Sequence, residues 1–159
     1  MALALSPMIT ELLRELANGR DIEEFIVDLV AERLDTQRRV ELYLRLHEDY
    51  LRAAEELYNK GDLAQAGEKY WGAVTALLNA IDESRGWEHY SHRDYDVIIG
   101  RLYKETKDKL ILTNFSMVKR LQANFYHNFM DREEFEAHRE TVFELIGKLR
   151  EFLKNLNKT

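Results

Sequence analysis

Three polar residues, Arg120, Asn124 and His127, are spaced so that they fall on one face of a helix, opposite its apolar stripe. An arginine binds a phosphate bidentately, and an imidazole, with an ordinary pKa of about 6.5, transfers protons at neutral pH. With Asn124 or Tyr126 orienting a phosphate or a base, the pattern predicts metal-independent RNA cleavage. His127 would take the 2′-hydroxyl proton or protonate the leaving oxygen, and Arg120 would stabilise the developing charge. The alternative is a solvated helix face or a plain dimer seam.

A second candidate site is the segment Ser91, His92, Arg93 and Asp94. Ser91 and Asp94 have the spacing of a capping box, which predicts the start of a helix. The exposed N–H groups of a helix start, next to His92 and Arg93, would suit a phosphate. The alternative is a good helix start with no ligand.

The histidines do not form a metal-ligand pattern. None lies at the spacing that zinc or di-iron sites require, and the chain has no cysteine. His47 and His138 are expected at core or boundary positions, each with a hydrogen-bond partner. A glycine-rich phosphate loop is also missing from the sequence. We therefore expect no metal and no cofactor.

Composition narrows the class of protein. The chain has 159 residues and a formal net charge of −6, which argues against a non-specific DNA coater because that binding depends on positive charge. No apolar run reaches the roughly 18 to 20 residues that span a bilayer, and the uncharged start, broken by Ser6 and Pro7, is a poor signal peptide. The absence of cysteine is compatible with a reducing compartment. We expect a cytoplasmic protein without a membrane partner.

Helix signals dominate the chain, and apolar residues recur between them at spacings of three and four. The starts are marked by Ser6-Pro7, Asp21-x-x-Glu24, Asp62-x-x-Gln65 and Asp131-x-x-Glu134, and the stops by Gly19, Gly61 and Gly86. The predicted helices cover about 7–18, 22–34, 37–60, 63–85, a short stretch around 95–102, 109–130 and 132–155. Short connections favour antiparallel neighbours, and the third helix, with the widest apolar stripe, is expected at the centre. The prediction is an all-α, antiparallel up-and-down helical bundle.

We place a boundary between an N-terminal helical annex, residues 1–35, and the bundle, residues 36–159. The first two helices are too short to be stable alone. They must dock on the bundle or be exchanged between subunits, and exchange would make the protein an obligate dimer.

Several spaced segments agree with a known family. Residues 50–81, YLRAAEELYNKGDLAQAGEKYWGAVTALLNAI, are followed by Gly86-Trp87, by Ser91-His92-Arg93 and by Asn124-Phe125-Tyr126. With these segments in this order, residues 35–153 resemble the archaeal PaREP family. That family is similar to the HEPN superfamily of nucleotide-binding helical bundles.

The resemblance implies a usually dimeric bundle whose better-known relatives are RNA-cleaving toxins or nucleotide-binding partners. Those enzymes use an Arg and a His a few residues apart, facing the same pair in a second subunit, and Arg120 and His127 would fill these roles. The segment with His92 and Arg93 is among the recurring family features. Glu68 and Lys69, an adjacent acid and base that otherwise suggest a surface pair, also recur there and would line the same pocket. Where the family pattern has a His and an acid, this chain has Gln122 and His127, so the pair is either inherited or a coincidence.

Two functions stay open. The first is a HEPN-like homodimer that cleaves RNA, or binds RNA or a nucleotide, at its dimer interface. The second is a non-catalytic helical dimerisation or interaction module, either a scaffold or an antitoxin-like partner of a protein encoded nearby. A tetratricopeptide-like segment does not recur at that repeat's period, which excludes a solenoid. An Arg–His pair meeting its copy would favour the first function, and an exposed apolar patch would favour the second.

Overall fold

The computed structural model describes residues 2–87 and 94–158, and over these ranges it is built of helices, without a strand. The helices are α1 (Pro7–Ala17), α2 (Ile22–Ala31), α3 (Thr36–Asn59), α4 (Leu63–Arg85), α5 (Tyr95–Thr106), α6 (Lys109–His127) and α7 (Arg132–Leu156). Each predicted helix has its counterpart, and the all-α bundle is confirmed. In this part of the chain, none of the helices combines the length and the apolar character that a bilayer crossing would need.

The helices begin and end through local hydrogen bonds that the sequence signals anticipate. The Asp131 carboxylate accepts from the Glu134 N–H at 2.8 Å and starts α7. Gly86 ends α4 in the left-handed conformation, with φ +61°. The prediction for α6 is too long, because Asn128 also takes a left-handed conformation, φ 45°, and stops the helix at His127.

The chain divides into two compact units, Met1–Arg39 and Val40–Thr159. In the first unit α1 contacts α2, and an ion pair of 2.6 Å joins Arg20 to Asp28. Many apolar side chains of this unit are exposed, namely Leu3, Leu5, Met8, Ile9, Leu12, Leu16, Leu29 and Val30. The docking or exchange of these helices stays a prediction.

Helix α4 is the centre of the second unit, where every residue of the stretch 70–83 is buried. The expectation that α3 is central is wrong, since only Tyr43, His47 and Ala54 of α3 are buried. Small residues explain the difference. A Cβ on Gly67 would lie 3.3 Å from the Leu121 carbonyl oxygen of α6, and one on Gly72 would lie 3.3 Å from the Tyr50 ring of α3. Because α4 is narrow at these points, neighbours approach it closely on different sides.

Helices α6 and α7 are antiparallel, and their contacts set up the region described below. At one end, the Lys148 ammonium of α7 donates to the Asp108 carboxylate, the N-cap of α6, at 2.7 Å. This ion pair lowers the pKa of Asp108 and raises that of Lys148. At the other end, Arg120 of α6 meets Glu134 of α7 at 3.0 Å.

Helix α5 departs from the alternating order. Tyr95, at its start, accepts a hydrogen bond of 3.3 Å from the Asn79 amide, and Glu105, near its end, pairs with Arg85 at 2.5 Å. The two contacts follow the same order along α4 and α5, so these helices run in the same direction. Short connections favour antiparallel neighbours, but the chain between Arg85 and Tyr95 is longer than the other loops of the second unit, so it leaves room for a parallel pair.

Candidate functional site

The predicted pair Arg120 and His127 lies at the end of α6, where the chain turns into α7. Both side chains are exposed. We call this region the α6–α7 corner, defined by Arg120, Tyr126, His127, Phe129 and Glu134. Helix α6 places the first three residues, the loop places Phe129, and the first turn of α7 places Glu134.

Asn124 does not share the exposed face, and its predicted outward position is wrong. Its side chain is 1% exposed, and its amide oxygen accepts from the N–H groups of Phe129 and Met130, both at 2.8 Å. The reason is helical spacing, since Asn124 follows the buried Leu121 by three residues and continues the core row. Asn124 therefore shapes the loop of the corner, and its acceptor is already occupied.

The Arg120 guanidinium is held at the surface by two neighbours. Its Nη2 donates to the Glu134 carboxylate at 3.0 Å, and its Cζ lies 5.4 Å from the centroid of the Phe129 ring. Both ion-pair partners are substantially exposed, at 54% for Arg120 and 38% for Glu134. An exposed pair of this kind contributes only about 0 to 1 kcal/mol, so an incoming phosphate can compete for the guanidinium.

Two aromatic rings of the corner face solvent. Tyr126 is 70% exposed and Phe129 is 47% exposed. The Tyr126 ring meets the Phe125 ring edge to face, with centroids 5.0 Å apart. His127 makes no hydrogen bond or ion pair with the residues that the structure describes. The corner thus offers aromatic faces, one guanidinium and one imidazole on an open surface.

The second predicted candidates, His92 and Arg93, lie outside the described residues, as does Ser91. Helix α5 begins at Tyr95, and its N-cap is Asp94, whose carboxylate accepts from the Asp96 N–H at 3.0 Å. The capping box predicted Ser91 as the N-cap, but the N-cap of α5 is Asp94, three residues later in the sequence.

Glu68 and Lys69 lie on α4, and both are partly buried. Their side chains are 3.6 Å apart, and the Lys69 ammonium lies 5.3 Å from the centroid of the Tyr50 ring of α3. Within residues 2–87 and 94–158, no hydrogen bond or ion pair joins either residue to Arg120 or His127. The shared pocket that the resemblance implied stays a prediction.

A polar network that the sequence did not predict links three helices of the second unit. Arg139 of α7 donates through Nε to the Tyr70 hydroxyl at 2.7 Å and through Nη2 to both Glu55 oxygens at 2.9 and 2.8 Å. The Tyr70 hydroxyl in turn donates to Glu55 of α3. We call Glu55, Tyr70 and Arg139 the α3–α4–α7 network. Its members are far apart in sequence, so no local pattern could reveal it.

Aromatic rings enclose the guanidinium of this network. The Arg139 Cζ lies 4.0 Å from the Tyr58 centroid and 5.0 Å from the Phe143 centroid. Burial, together with the hydrogen bond to Glu55, raises the pKa of Tyr70. Burial alone would lower the pKa of Arg139, but the hydrogen bonds that Arg139 donates to Tyr70 and Glu55 outweigh burial and raise that pKa. The network therefore keeps the Tyr70 phenol neutral and the Arg139 guanidinium charged, and it joins α3, α4 and α7.

The predictions for His47 and His138 are confirmed. His47 is 1% exposed and His138 is 6% exposed. A ring nitrogen of each lies 2.8 Å from a backbone carbonyl, that of Ala73 for His47 and that of Glu134 for His138. In the part of the chain that the structure describes, no group of three or more His, Asp or Glu side chains is placed to hold a metal ion.

Comparison with known protein families gives a match. Residues 42–146 match the archaeal PaREP1/PaREP8 family. No curated protein and no solved structure matches the chain. The matched stretch contains the whole α6–α7 corner and all three residues of the α3–α4–α7 network.

Proposed function

We propose that this chain, which belongs to the archaeal PaREP1/PaREP8 family, binds single-stranded RNA at the α6–α7 corner. The proposal depends on one observation: the exposed Phe129 ring lies 5.4 Å from the Arg120 guanidinium, in a corner that also exposes Tyr126 and His127. Unpaired bases stack on aromatic faces, and each stacked base contributes about 1 to 3 kcal/mol to the binding free energy. A guanidinium neutralises the charge of a phosphate. This combination suits an unpaired strand better than a duplex, whose bases are stacked on one another.

Cleavage of the bound RNA by a HEPN-like homodimer is the second step of the proposal, and the resemblance motivates it. His127 would accept the 2′-hydroxyl proton, and the 2′-oxygen would attack the adjacent phosphorus to form a 2′,3′-cyclic phosphate. The bond from phosphorus to the 5′-oxygen would break, and the 5′-oxygen would take a proton from water. Arg120 would stabilise the charge that develops on the phosphate oxygens. Since the Asn124 side chain is buried and its amide oxygen is occupied, Tyr126 is the group of that predicted pair that could orient a base. We also propose that the protein acts in the cytoplasm, where RNA is available.

Binding can be tested by fluorescence anisotropy with a labelled oligouridine at low ionic strength. Replacing Tyr126 and Phe129 together with Ala should weaken binding by about tenfold or more, because two stacking platforms are lost. Leu110→Ala is the matched control, since this side chain is 46% exposed at the opposite end of α6. Arg120→Ala should weaken binding and reduce its salt dependence. Glu134→Gln should strengthen it by freeing the guanidinium. Absence of binding, or an equal loss in the control, would contradict the proposal.

Catalysis has a separate test. Intact oligouridine is incubated with wild-type protein, His127→Ala and Arg120→Ala, and the products are resolved on a gel. Cleavage by wild type and its loss in both variants would support the chemistry described above. Equal cleavage by His127→Ala would remove the role of His127, and binding without cleavage would leave an RNA-binding protein. Mononucleotides added as competitors would reveal a nucleotide as the preferred ligand.

The alternative function, a non-catalytic dimerisation or interaction module, is supported by the exposed apolar side chains of the first unit. Leu12 and Leu16 are 46% and 66% exposed on α1. Replacing both with Glu should shift a homodimer toward monomer in sedimentation analysis, whereas Leu110→Glu should not. A dimer that depends on these leucines but binds no RNA would favour this alternative. Capture of a protein encoded nearby would favour its antitoxin-like form.

A further inference from the structure

We propose that a groove between α3 and α7 binds a small organic anion, a phosphate monoester or a carboxylate that carries an apolar body. This α3–α7 groove is lined by Leu44, His47 and Arg52 on α3, by Leu77 on α4, and by Arg150 and Lys154 on α7. Its volume is about 590 Å³, within the range of small-molecule sites.

The floor of the groove is apolar. Leu44 is partly buried and Leu153 is 9% exposed, and these two supply the apolar surface that a ligand can reach, since Leu77 is fully buried. These side chains also contact the main core of the unit, so the floor is supported from below. A flat or branched hydrocarbon group placed here would leave water for an apolar surface.

The rim of the groove is positive in a chain of formal net charge −6. Four cationic side chains line it, against the carboxylates of Glu48 and Asp49. Each carboxylate pairs with one arginine, Glu48 with Arg150 at 3.0 Å and Asp49 with Arg52 at 3.3 Å. The other two cations, Arg45 and Lys154, have no ion pair among the described residues. An anion in the groove would meet these two unpaired cations first.

One of the cations is held in place from within the protein. Arg150 donates through Nη2 to the Nε2 atom of His47 at 2.8 Å. Since a guanidinium has no acceptor, Nε2 must be unprotonated, and the proton of the ring is on Nδ1, which donates to the Ala73 carbonyl at 2.8 Å. His47 is 1% exposed, so the imidazole in this link between α4, α3 and α7 is shielded from water. The guanidinium is therefore positioned at the groove before a ligand arrives.

The groove is distinct from the α6–α7 corner. Along α7, Arg150 lies 18 residues beyond Arg132 at the helix start, which corresponds to about 27 Å at 1.5 Å per residue. The corner lies at the start of α7 and the groove near its end. Binding at one site can therefore be altered without touching residues of the other.

Phenyl phosphate and phenylacetate are suitable probes for calorimetric titration of the full chain. We expect saturable, one-to-one binding of at least one of them, and the stronger of the two identifies the anionic group. Inorganic phosphate and benzyl alcohol should each bind at least about tenfold more weakly, because inorganic phosphate lacks the apolar body and benzyl alcohol lacks the negative charge. Binding of inorganic phosphate as tight as that of phenyl phosphate would overturn the apolar part of the proposal.

The double variant Arg45→Ala with Lys154→Ala should lower the affinity for the preferred probe by about tenfold or more. Both side chains are exposed and without ion pairs in the described structure, so the fold should persist, and circular dichroism checks this. The matched control is Lys60→Ala with Lys104→Ala, two exposed lysines outside the groove. Unchanged affinity in the groove variant, an equal loss in the control, or no binding of either probe would overturn the proposal. A loss caused by Arg120→Ala instead would assign the probe to the corner and overturn it as well.

Discussion

Arg120 and Arg139 show how differently the second unit uses the same side chain. Arg120 is 54% exposed and has a single ion pair at the rim of α7, with one ring beside it. Arg139 is 21% exposed, donates three hydrogen bonds and lies 4.0 Å from the Tyr58 ring. The guanidinium of Arg120 is available to a ligand, whereas that of Arg139 is committed to the protein itself. These two residues show that a guanidinium is open to a ligand where its neighbours leave it exposed, and unavailable where they enclose it.

The largest expected effect on stability comes from a substitution that breaks the α3–α4–α7 network. Arg139→Ala should lower the free energy of unfolding by about 2 to 4 kcal/mol, because Glu55 and Tyr70 lose their shared donor in a partly buried site. Arg120→Ala should change it by no more than about 1 kcal/mol. Urea denaturation of both variants measures the difference. Arg139→Lys should recover little, since an ammonium cannot reproduce the planar fork. Similar values for the two alanine variants would contradict the contrast drawn here.

The next effect concerns the loop that shapes the corner. Asn124→Ala should lower the free energy of unfolding by about 1 to 3 kcal/mol, because the N–H groups of Phe129 and Met130 would lose their acceptor. Thermal unfolding measures this loss. Asn124→Asp, which keeps an acceptor oxygen, should retain more stability than the alanine variant. If both variants unfold with wild-type midpoints, Asn124 does not hold the loop.

The smallest effect is a pH dependence from His47. Burial, the largest cause, lowers the pKa of His47 from its ordinary 6.5. Above pH 6.5 the ring is neutral in both the folded and the unfolded chain, and its contribution to stability is fully present. As the pH falls below 6.5 toward the folded-state pKa, the unfolded chain takes up the proton first, and this stability is lost. Around the ring, the charged groups are Arg150, which disfavours the proton, and Glu48, which favours it.

Unfolding free energies at several pH values between 7.5 and 5 measure this loss for wild type and for His47→Gln. The wild-type chain should lose more stability than the variant over this interval, and His127→Ala, which removes an exposed imidazole, should behave like wild type. Parallel pH profiles for wild type and His47→Gln would show that His47 is not the responsible group.

Part of the candidate site was accessible to sequence reasoning. The placement of Arg120, Tyr126 and His127 near the end of one helix follows from helical spacing, and all three are exposed. The same spacing argument failed for Asn124, since three residues from Leu121 is also a core interval, and the sequence does not indicate which side of the stripe is covered. The apolar pattern of α3 likewise gave no indication that the small residues of α4 would make α4 the central helix.

What the sequence alone determined is the set of helices and the positions where most of them start and stop. Caps such as Asp131 and left-handed ends such as Gly86 act within a few residues, so the local sequence contains the necessary information. Only the tertiary structure decided which polar groups meet. Glu55, Tyr70 and Arg139 come together because three helices pack at one level, and Arg150 reaches His47 because α7 lies against α3. Such meetings depend on the packing of distant segments, and this is why the buried network and the α3–α7 groove could not be predicted.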